Sequence, residues 1–206
     1  MSNILISING DCTVERNQLK NEYEHIFGVD GGTEYLYKLF LQPTQIIGDF
    51  DSIDENTKKR AIRDGADINS FDPDKDRTDL EIALDVASKN KGKDITIIGG
   101  EGNDIDHLFG NLLTISSFHS TEEIMWVTKL ETIIFSTKQF FKIKKNSTFS
   151  ILPLSRIENL SIKGAKWDID NENIPYGSTR TLRNSALSEE IFIEAKNGKF
   201  CLIVKN

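Results

Sequence analysis

Thr44-Gln45-Ile46-Ile47-Gly48-Asp49-Phe50-Asp51-Ser52 decides how the rest of the chain reads. The apolar run Ile46-Ile47 predicts a short buried strand over 44–48. Two carboxylates alternating with an aromatic then stand where that strand leaves its sheet. In an open α/β sheet the carboxyl ends of the strands form the ligand crevice, so chemistry is expected here. Acids this close repel, and a folded protein keeps both ionised only by supplying a cation or hydrogen-bond donors. Mg2+ wants hard oxygen ligands and commonly takes one or two carboxylates together with substrate phosphates. The residues therefore raise the expectation that Asp49 and Asp51 hold Mg2+ against the phosphates of a nucleotide. The plainer alternative is a polar loop in which Asp51 caps the following helix.

Working outward, the same strand-then-acid pattern recurs. Residues 4–9 form an apolar strand ending at Gly10-Asp11, and residues 25–29 form another that runs into Asp30-Gly31-Gly32. The spacing of Leu36, Leu39 and Phe40 predicts a helix over 33–41, stopped by Pro43. A charged helix over about 54–63 precedes Gly65, and a weak strand over 66–71 leads into the polar stretch 72–77. Thr78-Asp79-Leu80-Glu81 matches the capping box, and Leu80, Ala83, Leu84 and Ala87 give the helix that follows an apolar stripe. A strand over 94–98, a glycine-rich turn at 99–102, a helix burying Ile105, Leu108, Phe109, Leu112 and Ile115, and a strand over 123–128 complete this half. Strands alternating with helices of this length predict a mostly parallel sheet covered on both faces. Acids or glycines after the second, third, fourth and fifth strands point to one shared crevice.

Beyond about residue 130 the texture changes. Helical periodicity gives way to short apolar or alternating runs at 132–136, 139–143, 148–152, 160–162, 191–195 and 200–204. Asn197-Gly198 is a type I′ hairpin signal between the last two. Closely spaced short strands predict a small antiparallel β-sandwich. The fold class is therefore α/β with an N-terminal mostly parallel sheet flanked by helices, followed by a smaller C-terminal antiparallel β-sandwich. The domains are expected at 1–130 and 131–206.

The 206 residues carry a formal charge of −7, which argues against nucleic-acid or anionic-membrane partners. An anionic substrate needs a metal or a local cluster of amides and cations. No run approaches the roughly 20 apolar residues of a membrane helix, and the N-terminus has no signal-peptide pattern. Cys12 and Cys201 stand far apart without a CxxC pairing, so no disulfide framework or zinc site is indicated. A cytoplasmic protein is the default.

Other candidates are weighed against structural roles. Asp76 and Asp79 flank Thr78 at a helix start, where acids are favoured by the helix dipole alone; the strand before them aims Asp79 at the same crevice. Lys75 and Arg77 are solvated charges or face phosphate oxygens. Gly99–Gly102 offers amides to an anion but matches neither the dinucleotide GxGxxG nor the Walker loop. His25, His107 and His119 read as structural, and Trp126 as core. Trp167, among charged neighbours, is credible as an exposed stacking residue.

Taken together, Val29-Asp30-Gly31-Gly32, Gly48-Asp49-Phe50-Asp51-Ser52 and Asp74-Lys75-Asp76-Arg77-Thr78-Asp79 resemble the thiamin pyrophosphokinase family. The likeness continues through Gly99-Gly100, Asp106-His107, Gly164-Ala165-Lys166-Trp167 and, weakly, Arg183-Asn184-Ser185, so it spans both halves. The resemblance implies that residues 1–130 are a nucleotide-binding catalytic domain and 131–206 a thiamin-binding and dimerisation domain of a homodimer with composite sites. It implies transfer of the pyrophosphoryl group of ATP to the hydroxyl of thiamin, giving thiamin diphosphate and AMP, with Mg2+. Asp49, Asp51 and Asp79 would be the catalytic metal-binding acids. Asp30, Lys75 and Thr78 would lie near the nucleotide phosphates and Asp106 near thiamin. Trp167 of the partner would stack on the vitamin ring, with Asn184 close by.

The chain departs from the family pattern at Asp104, where Gly-Gly-Arg-x-Asp-His usually places arginine, and at Arg183, where Ser-Asn is usual. Such a reaction is in-line attack at the β-phosphorus, which needs positioning and charge neutralisation. Asp79 and Asp106 are both candidates to accept the hydroxyl proton. Two rivals use the same residues: a phosphohydrolase with one acid of the Asp-x-Asp pair as nucleophile, and a non-catalytic nucleotide or thiamin sensor.

Overall fold

The computed structural model describes residues 2–72, 76–90, 92–102, 104–118 and 123–206. The chain divides into two compact units, Met1–Lys129 and Leu130–Asn206.

The N-terminal unit is built on six strands: β1 (Ser2–Ile8), β2 (His25–Val29), β3 (Gln45–Gly48), β4 (Asp67–Ser70), β5 (Gly92–Gly99) and β6 (Glu123–Val127). Their order is β6-β5-β1-β2-β3-β4, and every neighbouring pair is parallel. Ile4, Leu5 and Ile6 are successive and all fully buried, as are Ile97 and Ile98. Successive strand residues point to opposite faces, so burial of all of them requires cover on both.

Among the described residues four α-helices lie between the strands: α1 (Gly32–Lys38), α2 (Glu55–Arg63), α3 (Asp79–Lys89) and α4 (Ile105–Ser117). α3 begins as its sequence dictates. Thr78 Oγ1 accepts the Glu81 N–H at 3.3 Å, and Glu81 Oε2 accepts the Thr78 N–H at 2.7 Å. Its Leu80, Ala83, Leu84 and Ala87 are buried.

Three expectations for this half need correction. α1 ends three residues before the anticipated 41. Leu41 N–H bonds to Leu36 O at 2.8 Å and Phe40 N–H to Tyr37 O at 3.1 Å, a Schellman end with Phe40 in the left-handed position at φ 58°. Leu36 and Leu41 both enter the same buried apolar cluster, which holds that end. The cap of α2 is Asp54, whose Oδ2 accepts Thr57 N–H at 2.9 Å, which leaves Asp51 uncommitted to capping. α4 forms where expected but buries only Ile115. Ile105, Phe109 and Leu113 are 67%, 57% and 58% exposed, and Leu108 is exposed as well.

The C-terminal unit contains two antiparallel sheets. β7 (Glu131–Ser136), β9 (Thr148–Pro153), β12 (Asn184–Ser185) and β14 (Phe200–Lys205) pair in the order β12-β9-β14-β7. β8 (Phe140–Lys142), β10 (Ile157–Lys163), β11 (Ile169–Ile174) and β13 (Glu190–Glu194) pair in the order β11-β10-β13-β8. Alternate residues, such as Phe149 and Ile151 of β9 or Ile191 and Ile193 of β13, enter one core between the sheets. The fold class agrees with the sequence. The hairpin expected at Asn197-Gly198 does not form, because β13 and β14 belong to different sheets. Of the two residues only Gly198 has positive φ, and Asn197 instead bridges to Glu158.

Candidate functional site

The strand order reverses at β1: β2, β3 and β4 lie to one side, β5 and β6 to the other. Connections leaving β1 and β5 diverge there and open a crevice at the carboxyl ends of the strands. A cavity of about 680 Å3 occupies this position. The ends of β1, β2 and β3 supply Asn9, Asp11, Asp30, Asp49, Asp51 and Ser52. The start of α3 supplies Thr78 and Asp79, the turn after β5 Gly100–Gly102, the N-cap of α4 Asp104, and α4 itself His107 and Asn111.

The Asp49–Asp51 loop has a local cause. Asp30 sits at φ 45° with its N–H on Ile47 O at 3.0 Å, and its Oδ1 accepts Phe50 N–H at 3.0 Å. Phe50 itself is held at φ 66°, and its ring joins Ile46, Ala61 and Ala66 beneath the loop. The aromatic between the two acids is thus an anchor: it goes down against α2 while its neighbours line the cavity. Asp51 N–H closes the turn on Asp49 Oδ1 at 3.1 Å. Gly48 is required because a Cβ there would stand 1.9 Å from Asp30 Oδ1. Strained residues held by their surroundings at such a place are a mark of function.

Electrostatically the wall is acidic, and among the described lining residues there is no Lys or Arg. Burial drives the Asp30 carboxyl up to about 7. The Phe50 amide opposes that rise, and Asp79, in hydrogen-bond contact, and Asp49 add to it. Crowded oxygens short of positive charge fit a hard divalent cation or a cationic substrate. Among the described residues no three His, Cys, Asp or Glu side chains converge closely enough to hold a metal by themselves. A cation here would take part of its shell from substrate or water.

The cavity therefore unites Asp30, Asp49, Asp51, Thr78 and Asp79. Asp106 is not in its wall: it lies on the exposed start of α4, and its Oδ1 accepts His107 N–H at 2.9 Å. Lys75 and His119 lie outside the described residues. Trp167 and Asn184 are in the C-terminal unit. Trp167 is 54% exposed, whereas Trp126 is core, its Nε1–H on Gly99 O at 2.9 Å. Sequence reasoning missed Asn9, Asp11, Glu101, His107 and Asn111 as wall residues. Asn9-Gly10-Asp11 carried the same strand-end signal as Asp30, and His107 and Asn111 are one helical turn apart on α4.

The model of the thiamin pyrophosphokinase catalytic domain matches residues 16–127, and that of the family's vitamin B1 binding domain matches 135–200. Thiamine pyrophosphokinase from Bacillus subtilis (strain 168) is 30% identical over 172 residues, covering 81% of this chain and 80% of its own. The crystal structure of the Geobacillus thermodenitrificans enzyme, 26% identical, superposes with a TM-score of 0.82 over 99% of this chain and 97% of its own. The fold is also that of the Bacillus subtilis crystal structure, with a TM-score of 0.86 and 24% identity over 99% of both chains. Both family models together span most of the chain, and the chain belongs to the thiamin pyrophosphokinase family.

Proposed function

We propose that this protein transfers the pyrophosphoryl group of ATP to the primary hydroxyl of thiamin, releasing AMP and thiamin diphosphate. The observation that carries the reading is the meeting of Asp49, Asp51 and Asp79, with Asp30 beneath them, in one cavity at the switch point of the sheet. The hydroxyl oxygen attacks the β-phosphorus in line, the bond from that phosphorus to the oxygen bridging to the α-phosphate breaks, and AMP leaves with the bonding pair. Asp79 lines the cavity and Asp106 does not, which favours Asp79 as acceptor of the hydroxyl proton.

Mg2+ suits the site, with Asp49, Asp51 and Asp79 as the residues that would hold it; when bound it supplies charge neutralisation at the phosphates. Asp30 keeps the Asp49–Asp51 loop in place through Phe50 N–H. Thr78 presents the start of α3, whose amides and dipole favour an anion. By its position in the family motif alone, Lys75 would add positive charge near the phosphates. Thiamin carries a positive charge, so an acidic wall also suits the acceptor, and the exposed indole of Trp167 offers it a stacking surface.

We further propose a homodimer in which Trp167 of a second copy completes each site. The support is the apolar face of α4, exposed at Ile105, Phe109 and Leu113 in helical register, since apolar faces of this kind mark association surfaces. Charge agrees: residues 1–129 carry 13 basic against 24 acidic side chains, and residues 130–206 carry 12 against 8. The unpaired thiols Cys12 and Cys201 suit a reducing cytoplasm. No described helix is long and apolar enough to cross a membrane.

The test is incubation with ATP, Mg2+ and thiamin, followed by quantifying AMP and thiamin diphosphate. Equal amounts of both are expected; phosphate release without acceptor, or binding without turnover, would overturn the assignment. Light scattering should find a dimer that Phe109→Asp converts to an inactive monomer.

A further inference from the structure

We propose that Asn184 is a positioning residue that presets Trp167 as a rigid platform for the acceptor ring and does not itself contact the ligand; this rests on the reading that Trp167 stacks on thiamin.

Trp167 lies on the turn between β10 and β11, a turn opened by Gly164 at φ 85°. An exposed indole on a free turn has to be ordered on binding, which opposes affinity. Here the turn is already fixed. Asn184, 5% exposed, reaches the backbone of Trp167 with both ends of its amide. Its Oδ1 accepts Trp167 N–H at 3.1 Å, and its Nδ2 donates to Trp167 O at 2.8 Å. The same Oδ1 also accepts Ser185 N–H at 2.8 Å. A carboxamide oxygen has two lone pairs, and both are spent inside the protein; the second Nδ2–H belongs to a side chain buried away from the surface where a ligand would stack.

The clamp is itself anchored. Asn184 and Ser185 pair with Phe149 and Thr148 of β9, and Lys166 N–H bonds to Ser185 O at 2.8 Å. Within the turn that carries Trp167, Asp168 Oδ1 accepts Ala165 N–H at 3.0 Å. Arg183, just before Asn184, is kept at φ 57° with its N–H on Ser150 Oγ at 2.9 Å. A left-handed arginine is a strained conformation that the fold retains immediately before the buried Asn184. Fixing the backbone leaves the indole half-exposed, and Lys166 Nζ stands over the ring at 4.7 Å from its centroid. The ring therefore receives a cation in the free protein, the charge that thiamin carries.

The experiment is a double-mutant cycle in the full-length enzyme with Trp167→Ala, Asn184→Ala and the pair, reading KM for thiamin, KM for ATP and kcat. Asn184→Ala is expected to raise the thiamin KM about tenfold, the scale of one lost buried hydrogen bond. ATP KM and saturating kcat should stay within about twofold, a split that general unfolding does not give. In the Trp167→Ala background, Asn184→Ala should change nothing further, because a residue acting only through Trp167 has nothing left to act on. Additive effects would mean direct ligand contact, and an unchanged thiamin KM in the single Asn184 variant would mean no role; either overturns the proposal. If Trp167→Ala alone leaves the thiamin KM unchanged, the stacking reading fails first, a result separate from the other two. Asn184→Asp keeps the acceptor and loses the Nδ2 donor. It should give an intermediate thiamin KM and serves where the alanine variant is unstable; a wild-type value there likewise overturns the proposal.

Discussion

Gly48→Ala tests the architecture of the cavity at its narrowest point. The added methyl would stand 1.9 Å from Asp30 Oδ1, 2.4 Å from its Cγ and 2.7 Å from Oδ2. Ordinary contact requires the carboxyl group to retreat by more than an ångström, which breaks its 3.0 Å bond to Phe50 N–H. An amide left without a partner costs about 2 kcal/mol, and alanine at the φ of 145° held by Gly48 adds about 2 kcal/mol of backbone strain. A loss of about 4 kcal/mol is a large share of the stability of an ordinary domain. Gly65→Ala is the control: it has φ 93° but nothing within 4 Å of the added methyl, so it should cost only the backbone strain, about 1 to 2 kcal/mol. Urea unfolding followed by circular dichroism measures both, and AMP formation reports whether the Asp49–Asp51 loop has moved. Equal stability losses in the two variants, or full activity in Gly48→Ala, would refute the claim that Asp30 and Gly48 jointly set that loop.

Three further outcomes follow from single sites. Asp51→Asn should abolish Mg2+-dependent AMP formation with an unchanged unfolding midpoint, and full activity there would remove Asp51 from the metal site. For the metal-free protein in EDTA, the raised Asp30 carboxyl, about 7 against an ordinary 3.8, favours the protonated folded state. Its contribution is therefore fully present below the ordinary value and lost as pH rises through about 7. Stability should fall by about 2.5 kcal/mol between pH 5 and pH 8 from this group, and Asp30→Asn should flatten that slope in urea titrations. Phe40, 93% exposed at φ 58°, contributes strain without burial, so Phe40→Gly should raise stability by about 1 kcal/mol in a thermal melt.

The parts of this protein that were legible in the sequence are those set by local chemistry. Thr78 and Glu81 announced the start of α3, and consecutive isoleucines announced strands buried on both faces. Asp30, Asp49, Asp51 and Asp79 were legible because each follows a strand, and parallel strands deliver their ends to one side. What was not legible depends on partners remote in sequence. The β11 run Ile-Asp-Asn-Glu-Asn-Ile buries only its two end residues, and β11 pairs with β10 alone, so its middle carries no apolar alternation. Asn197-Gly198 has hairpin chemistry, but the flanking strands go to different sheets. The periodicity of α4 was read correctly as an apolar face, yet nothing in a periodicity says that this chain leaves the face uncovered. The clamp on Trp167 joins residues 17 apart through a side chain on a two-residue strand, a contact no local pattern encodes.

Charge at the cavity makes nucleotide binding conditional. Seven acidic side chains line it, Asp11, Asp49, Asp51, Asp79, Glu101 and Asp104 together with the only partly ionised Asp30, with no described lysine or arginine among the lining residues. Two like charges 4 Å apart repel by about 4 kcal/mol at the effective dielectric of a protein surface, so a polyanion entering alone meets a penalty of several such terms. Asp104 deepens it, standing where the family pattern has a cation and making no side-chain cap to α4 that would occupy its carboxylate. Thiamin, being cationic, meets attraction from the same wall. Calorimetric titration in EDTA should therefore detect thiamin binding but no ATP binding, and adding Mg2+ should strengthen ATP binding by at least about a hundredfold, the equivalent of less than one such repulsion. Asp104→Arg should restore measurable metal-free ATP affinity while weakening thiamin. If metal-free ATP binds within tenfold of its Mg2+ complex, the acidic wall does not govern the nucleotide, and the phosphates lie against groups other than these carboxylates.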